Sequence, residues 1–294
     1  MSRDGRFAPS PTGTLHLGNL RTALLAWLFA RSAGARFLVR MEDLDYGRVR
    51  PGAATRQLED LAALGLDWDG EVVFQSARID AYHSAVEQLR AAGRVYECFC
   101  TRAEIRAAAS APHGPLPEGA YPGTCLRLTE GERRRKRAGG RPPALRVRAD
   151  GARVAFTDRL HGEQAGVVDD FVIVRNDGAP AYNLAVVVDD GRQRIGEVVR
   201  GDDLLDSTPR QLFLAQLLGL PAPSFAHVPL VLGPDGARLA KRHGAVTLDD
   251  VAPRAALGWM AATLGLPPAE RAAELLPGFD PARLPREPVR LTSV

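Results

Sequence analysis

Apolar positions in this chain recur with helical, alternating and continuous spacings, and each spacing predicts an element. Arg6-Phe7-Ala8 is short and extended, and Pro9, Pro11 and Gly13 then interrupt regular structure. From Gly18 the apolar residues Leu20, Leu24, Trp27 and Leu28 fall on one face of a helix, which Gly34 ends. Residues 36–41 read as a buried strand. This β-α-β unit argues for an α/β fold, a parallel sheet with helices on its faces.

Helices are predicted at 53–65 and 79–92. Residues 98–150 lose periodicity and are rich in Pro, Gly and Arg, as expected of an insertion. Leu145 to Thr157 alternates as a hairpin would, with Asp150-Gly151 as its turn. Phe171 to Val174 and Tyr182 to Val188 predict strands around an Asn176-Asp177-Gly178 turn. Residues 208–219 predict a helix, His227 to Leu232 a short strand, and residues from 253 a helical, then irregular, tail.

With 294 residues, 45% of them hydrophobic and 25% charged, the chain can bury a large core. No signal core follows the N-terminus, and no apolar run approaches the ~20 residues that span a bilayer. A cytoplasmic chain without membrane contact is expected. A net charge of +3 favours nucleic acid only slightly. The basicity is uneven, however: Arg133, Arg134, Arg135, Lys136, Arg137 and Arg141 form one run. That run is either a solvated face or a contact for RNA phosphates.

Two loops carry candidate chemistry. The first, residues 9–19, empties into a helix at the carboxyl end of the first strand, where open α/β sheets bind ligands. A helix N-terminus offers backbone N–H groups to phosphate. Thr14 and His16 add donors, and Gly18 would let a nucleotide base approach the backbone. The second loop, Gly236 to Gly244, holds Arg238, Lys241 and Arg242, cations suited to charge developing on a transferred phosphate. Cys98, Cys100 and Cys125 form a third group; without a secretion signal they read as a structural zinc site or as three reduced thiols.

The two loops resemble the ATP signatures of class I aminoacyl-tRNA synthetases: His16-Leu17-Gly18-Asn19 the first, and Arg238-Leu239-Ala240-Lys241-Arg242 the second. Residues 6–13, 37–45, 182–190 and 199–203 closely resemble the glutamyl branch of that family. The resemblance implies a Rossmann-like catalytic domain with a zinc-containing insertion and a short helical C-terminal region. The expected division is 1–96 and 181–235 for the two catalytic halves, 97–180 for the insertion and its hairpin, and 236–294 for the signature loop and a stem-contact region.

By the same resemblance, Arg6 and Arg200 hold glutamate carboxylates, Glu42 accepts its ammonium group, and Ser10 and Tyr182 supply hydroxyls, with Phe7, Ala8 and Pro9 lining the site. Thr14, His16, Gly18, Asn19, Arg238, Lys241 and Arg242 meet ATP and its Mg²⁺, with His16 and Lys241 catalytic. Tyr121 completes a zinc set with Cys98, Cys100 and Cys125. Arg238 replaces the pattern's Lys and Ala240 its frequent Ser, which puts the rate in doubt.

Only residues 243–294 follow Arg242, too few for a helical anticodon-binding region. The chain therefore resembles the short branch of the family, which activates glutamate without tRNA and esterifies it onto queuosine at the wobble position of tRNA(Asp). The implied partners are ATP, L-glutamate and that anticodon loop, met by a monomer. The alternatives are a truncated glutamyl-tRNA synthetase charging a 3′ end, and a catalytically silent RNA-binding protein.

Overall fold

The computed structural model describes residues 3–101, 103–105, 120–233, 235–236, 239 and 246–291. Strand β1 (Gly5–Phe7) runs into helix α1 (Leu17–Ser32), which returns the chain to β2 (Phe37–Met41). β1 and β2 pair in parallel, Arg6 beside Leu38, and β3 (Val73–Phe74) continues the parallel set beyond β2. Parallel neighbours need such a crossover, and α1 supplies it. Leu17, Leu20, Arg21 and every residue from Ala23 to Ala30 are buried, so α1 is a central helix.

On the other side of β1, the amides of Gly196 and Glu197 donate to the Asp4 carbonyl and begin β9 (Glu197–Gly201). β9 pairs in parallel with β10 (Ser224–Val228), and β10 meets β6 (Arg153–Asp158), whose antiparallel partner is β7 (Gly162–Val167). Helices α2 (Ala53–Ala63) and α3 (Ile79–Ala91) follow β2 and β3. β4 (Val95–Cys98), β5 (Ala144–Val147) and β8 (Val172–Val174) form a separate antiparallel sheet, and α4 (Glu130–Ala138) lies in the chain between its first two strands. Helices α5 (Tyr182–Arg192), α6 (Thr208–Leu218) and α7 (Pro253–Thr263) complete the set used below. One core surrounds α1 and α7, and a second joins α3, α5 and α6. Among the described residues no helix is long and apolar enough to cross a membrane.

Three sequence expectations are corrected. Tyr182 to Val188 is the start of α5, not a strand. Val186 to Val188 favour extended backbone locally, but Leu184 to Gly191 are all buried, and a helix buried on all sides leaves the same apolar run as a buried strand. Residues 145–157 do not form a hairpin. Asp150 and Gly151 do turn the chain, with φ of 53° and 68°, but β5 then stays with β4 and β8 while β6 leaves for β7 and β10. Lastly, Pro229 and Leu230 divide 227–232 between β10 and β11 (Val231–Leu232), and β11 pairs instead with β12 (Val289–Arg290).

Candidate active site

The segments that follow β1 and β2 and the end of β9 open onto one cleft of about 810 Å³. Its lining includes Arg6, Phe7, Ala8, Pro9, Ser10, Thr14, His16, Gly18, Asn19, Glu42, Tyr182 and Arg200. Residues named for two ligands from sequence are thus brought together in space.

The side of the cleft formed by residues 9–19 rests on a braced loop. The Gln57 amide, from α2, donates to the carbonyls of Ser10 (3.1 Å) and Gly13 (2.7 Å), and the Glu42 amide donates to the Pro9 carbonyl. Gly13 sits at φ 144°, a conformation that other residues rarely adopt. His16 is the N-cap of α1: its Nδ1 accepts the Asn19 amide at 3.2 Å. Nδ1 is therefore unprotonated, and the proton of the neutral ring lies on Nε2. The Leu17 amide donates to the Val246 carbonyl, so two first-turn amides of α1 already have protein partners. Gly18 is tightly packed: a Cβ there would lie 3.0 Å from the His16 ring and 3.3 Å from the Val231 Cβ, so both side chains would have to give slightly.

Arg238, Ala240, Lys241 and Arg242 lie outside the described residues. The chain on either side of them is held at the cleft. Leu239 is buried, lines the cleft and donates its amide to the Val231 carbonyl, while Thr247 bridges to His16.

Beneath the opposite side lies a buried charge network. Arg6 reaches Asp190 at 3.3 Å, and Arg40 reaches Asp190 at 2.8 Å and Glu42 at 3.6 Å. Asp189 is held by Arg78 (2.6 Å), Tyr82 (2.7 Å) and Gln75 (2.9 Å). Asp190 is kept below the usual carboxylate range: burial opposes its charge, but Arg6 and Arg40 outweigh that. Burial pushes the Glu42 carboxyl up, and Arg40 and Arg6 only partly reverse the shift. A cation entering beside Glu42 would therefore favour its charged form.

Arg200 differs from the other two arginines. Its Nε donates to His227 Nε2 (3.0 Å), one terminal nitrogen to Gln211 Oε1 (2.7 Å), and the other to Thr208 Oγ1 (2.8 Å) and the Leu204 carbonyl (3.4 Å). All of these acceptors are uncharged. Among the described residues Arg200 has no salt bridge within 4.0 Å, although it is only 5% exposed. Burial accordingly pushes its pKa down.

The cysteine group lies apart, between β4 and the turn at 124–127. The sulfurs of Cys98, Cys100 and Cys125 all lie within 4.8 Å of one another. The Tyr121 hydroxyl is 3.4 Å from Cys98 Sγ and 3.7 Å from Cys100 Sγ, and it accepts the Cys125 amide at 2.8 Å. The Arg146 guanidinium stacks 3.7 Å over the Tyr121 ring. Hydrogen bonds from Cys125 and Tyr121, with Arg146 nearby, pull the Cys98 thiol down to about 4. Burial and the adjoining sulfurs push the Tyr121 phenol up, so it is a neutral oxygen donor at neutral pH. Three sulfurs and one oxygen converging this closely fit a tetrahedral zinc.

The basic run forms α4, which opens on a Thr129–Glu132 capping box and ends on Arg135, Lys136 and Arg137, where cations favour the helix dipole. Arg137 is paired with Glu97 and Glu130, and Arg133 donates to the Leu126 carbonyl. Arg134, Arg135 and Lys136 face solvent.

Several residues that build or brace the cleft are not among those named from sequence. Asp190 stood within a quoted stretch without a role, and the signal was available: paired acids ending an apolar run must be buried with partners. Arg40, Gln57 and His227, whose Nδ1 lies 2.7 Å from Asp158 Oδ2, give no local signal.

Residues 4–268 match the family of tRNA synthetases class I (E and Q), catalytic domain. A Nocardia farcinica protein named glutamyl-Q tRNA(Asp) synthetase is 63% identical over 98% of this chain and 93% of its own length. A Symbiobacterium thermophilum protein of the same name is 53% identical over 98% and 95%. A glutamate tRNA ligase from Elizabethkingia meningosepticum, solved with its amino acid, superposes with a TM-score of 0.83 at 28% identity, covering 99% of this chain and 67% of that one.

Proposed function

The chain belongs to the class I tRNA synthetases of the E and Q branch, and on that footing we propose that it activates L-glutamate with ATP and transfers it to the queuosine of tRNA(Asp) as a cytoplasmic enzyme. The observation that carries the amino-acid assignment is Arg200, a buried cation on the cleft wall whose hydrogen-bond acceptors are all uncharged. Desolvating an ion costs several kcal/mol, so such a site gains most from an anionic ligand. Arg6 already shares Asp190 and stands second to it. Glu42, raised by burial, receives the ammonium group. Ser10 and Tyr182 offer hydroxyls at the same wall.

In the first step a glutamate α-carboxylate oxygen attacks the α-phosphorus of ATP, the α–β bridging P–O bond breaks and pyrophosphate leaves. In the second, a queuosine hydroxyl attacks the adenylate carbonyl and AMP leaves. No enzyme nucleophile is required, so positioning and charge stabilisation carry the rate. Thr14, His16, Gly18 and Asn19 form the nucleotide wall. Lys241, with Arg238 and Arg242, neutralises the phosphate as its charge develops, and Mg²⁺ arrives with ATP.

Zinc held by Cys98, Cys100, Cys125 and Tyr121 would fasten the insertion. Metal analysis of the purified chain should find stoichiometric zinc that Cys100→Ser removes; full-length, folded, metal-free protein would return the cluster to three thiols.

The experiment for the whole reaction is transfer of labelled glutamate to total tRNA from cells with and without queuosine. Labelling confined to the queuosine-containing tRNA is expected. Equal labelling of both pools would contradict the assignment and favour charging of a 3′ end.

A further inference from the structure

The orientation of Arg200 is set by residues behind the cleft. Arg200 and His227 are register partners on β9 and β10. The His227 ring is fully buried, with Nδ1 2.7 Å from Asp158 Oδ2. Asp158, at the end of β6, also accepts the amides of Leu160 (2.9 Å), His161 (3.0 Å) and His227 (3.1 Å). A carboxylate that collects so many donors is ionised, so the proton between it and the ring lies on Nδ1. On the far side, Arg200 Nε is always a donor. Nε2 is then an acceptor, and the imidazole is neutral in a single tautomer. A doubly protonated ring would oppose two donors and two positive charges in a dry site.

Two further features fix this arrangement. The Phe225 ring stacks on His227, with centroids 5.8 Å apart and planes at 9°, and lies 5.2 Å below the Arg200 guanidinium. On the other flank, Gln211 accepts from Arg200 and donates to Asn183 Oδ1 at 3.0 Å, which leaves the guanidinium little rotation. Aspartate, neutral histidine and arginine thus form a chain from the core to the cleft wall.

We propose that His227, held by Asp158, is a positioning residue for the amino-acid site, its neutral imidazole fixing the Arg200 guanidinium in the orientation that meets the substrate carboxylate. This rests on the reading of the cleft as a glutamate site. Two substitutions separate positioning from mere core packing. In His227→Asn the amide nitrogen still donates to Asp158 but is too short to reach Arg200. In His227→Gln the longer side chain carries an amide oxygen toward the place of Nε2.

The test is glutamate-dependent ATP–pyrophosphate exchange without tRNA. In His227→Asn the KM for glutamate should rise about tenfold or more, as for a lost hydrogen bond to a charged group. Its kcat should stay within about threefold and its KM for ATP should not move. His227→Gln should recover most of the lost affinity. An unchanged glutamate KM in His227→Asn overturns the proposal, as do parallel losses of kcat and thermal stability in both variants without a change in KM. Wild-type exchange in the same assay tests the glutamate reading separately. If the wild type shows none, that reading fails, and the ring is judged by long-range nitrogen–proton NMR. A His227 protonated on Nε2, or on both nitrogens, at neutral pH would overturn the proposal whatever the substrate.

Discussion

Arg6, Arg40 and Arg200 are 4%, 0% and 5% exposed, and they differ in what balances them. The first two converge on Asp190, whereas Arg200 meets only uncharged acceptors. An ion pair at contact distance is worth about 4 kcal/mol at an effective dielectric near 20, and Arg200, which Asp190 and Glu42 influence without a contact ion pair, is the arginine proposed to meet a ligand carboxylate. His227 gives a consequence at the same scale. Burial holds its folded pKa below the ordinary 6.5, and Asp158 only partly opposes this. The groups facing it are Asp158, His161, Arg200 and Asp202. Below about pH 6.5 the unfolded chain binds the proton more readily, so this contribution is complete above that pH and declines as pH falls. Thermal unfolding of wild type and His227→Gln should show a gap that narrows below about pH 6.5; a constant gap would refute the neutral, buried ring. None of this was legible locally, because Asp190 lies 184 positions from Arg6, and Asp158 lies 69 from His227. Arg6, Glu42 and Arg200 were legible only through their family pattern.

At the scale of elements, the pattern places α1, α2, α3 and α6 to within about two residues, because α2 and α3 carry a one-sided apolar spacing and α1 and α6 are followed by glycines, Gly34 and Gly219. It failed at α5, where the buried run Val186 to Val188 reads as a strand, and at 145–157, where a real turn joined strands of different sheets. The basic run, left open between a solvated face and an RNA contact, is a helix whose cations are not equivalent. Arg133 and Arg137 bind the protein itself, which leaves Arg134, Arg135 and Lys136 for phosphates. Each phosphate contact adds to the salt dependence of binding. Replacing those three with Glu should raise the KM for tRNA in the transfer step about tenfold or more, and leave ATP–pyrophosphate exchange unchanged. Unaltered transfer kinetics would assign the run to helix capping alone.

Over the whole molecule, residues as far apart in sequence as Ser10, Glu42, Arg200 and Leu239 are drawn to one cleft by the parallel order of β1, β2, β9 and β10. Its volume of about 810 Å³ falls within the ~300–1,000 Å³ common for small-molecule sites. The chain aligns with nearly the full length of the glutamyl-Q tRNA(Asp) synthetases at 63% and 53% identity, and with 67% of a glutamate tRNA ligase at 28%. Those relations and the cleft point to the same chemistry, and the reading proposed for it places the substrate carboxylate at Arg200. The most direct measurement is ATP–pyrophosphate exchange without tRNA, with glutamate or glutamine, for wild type and Arg200→Ala. Exchange with glutamate and not glutamine is expected, with kcat/KM for glutamate falling at least about 30-fold in Arg200→Ala, as when one partner of a buried charge pair is removed. Equal exchange with glutamine, or an Arg200→Ala enzyme as efficient as wild type, would contradict it.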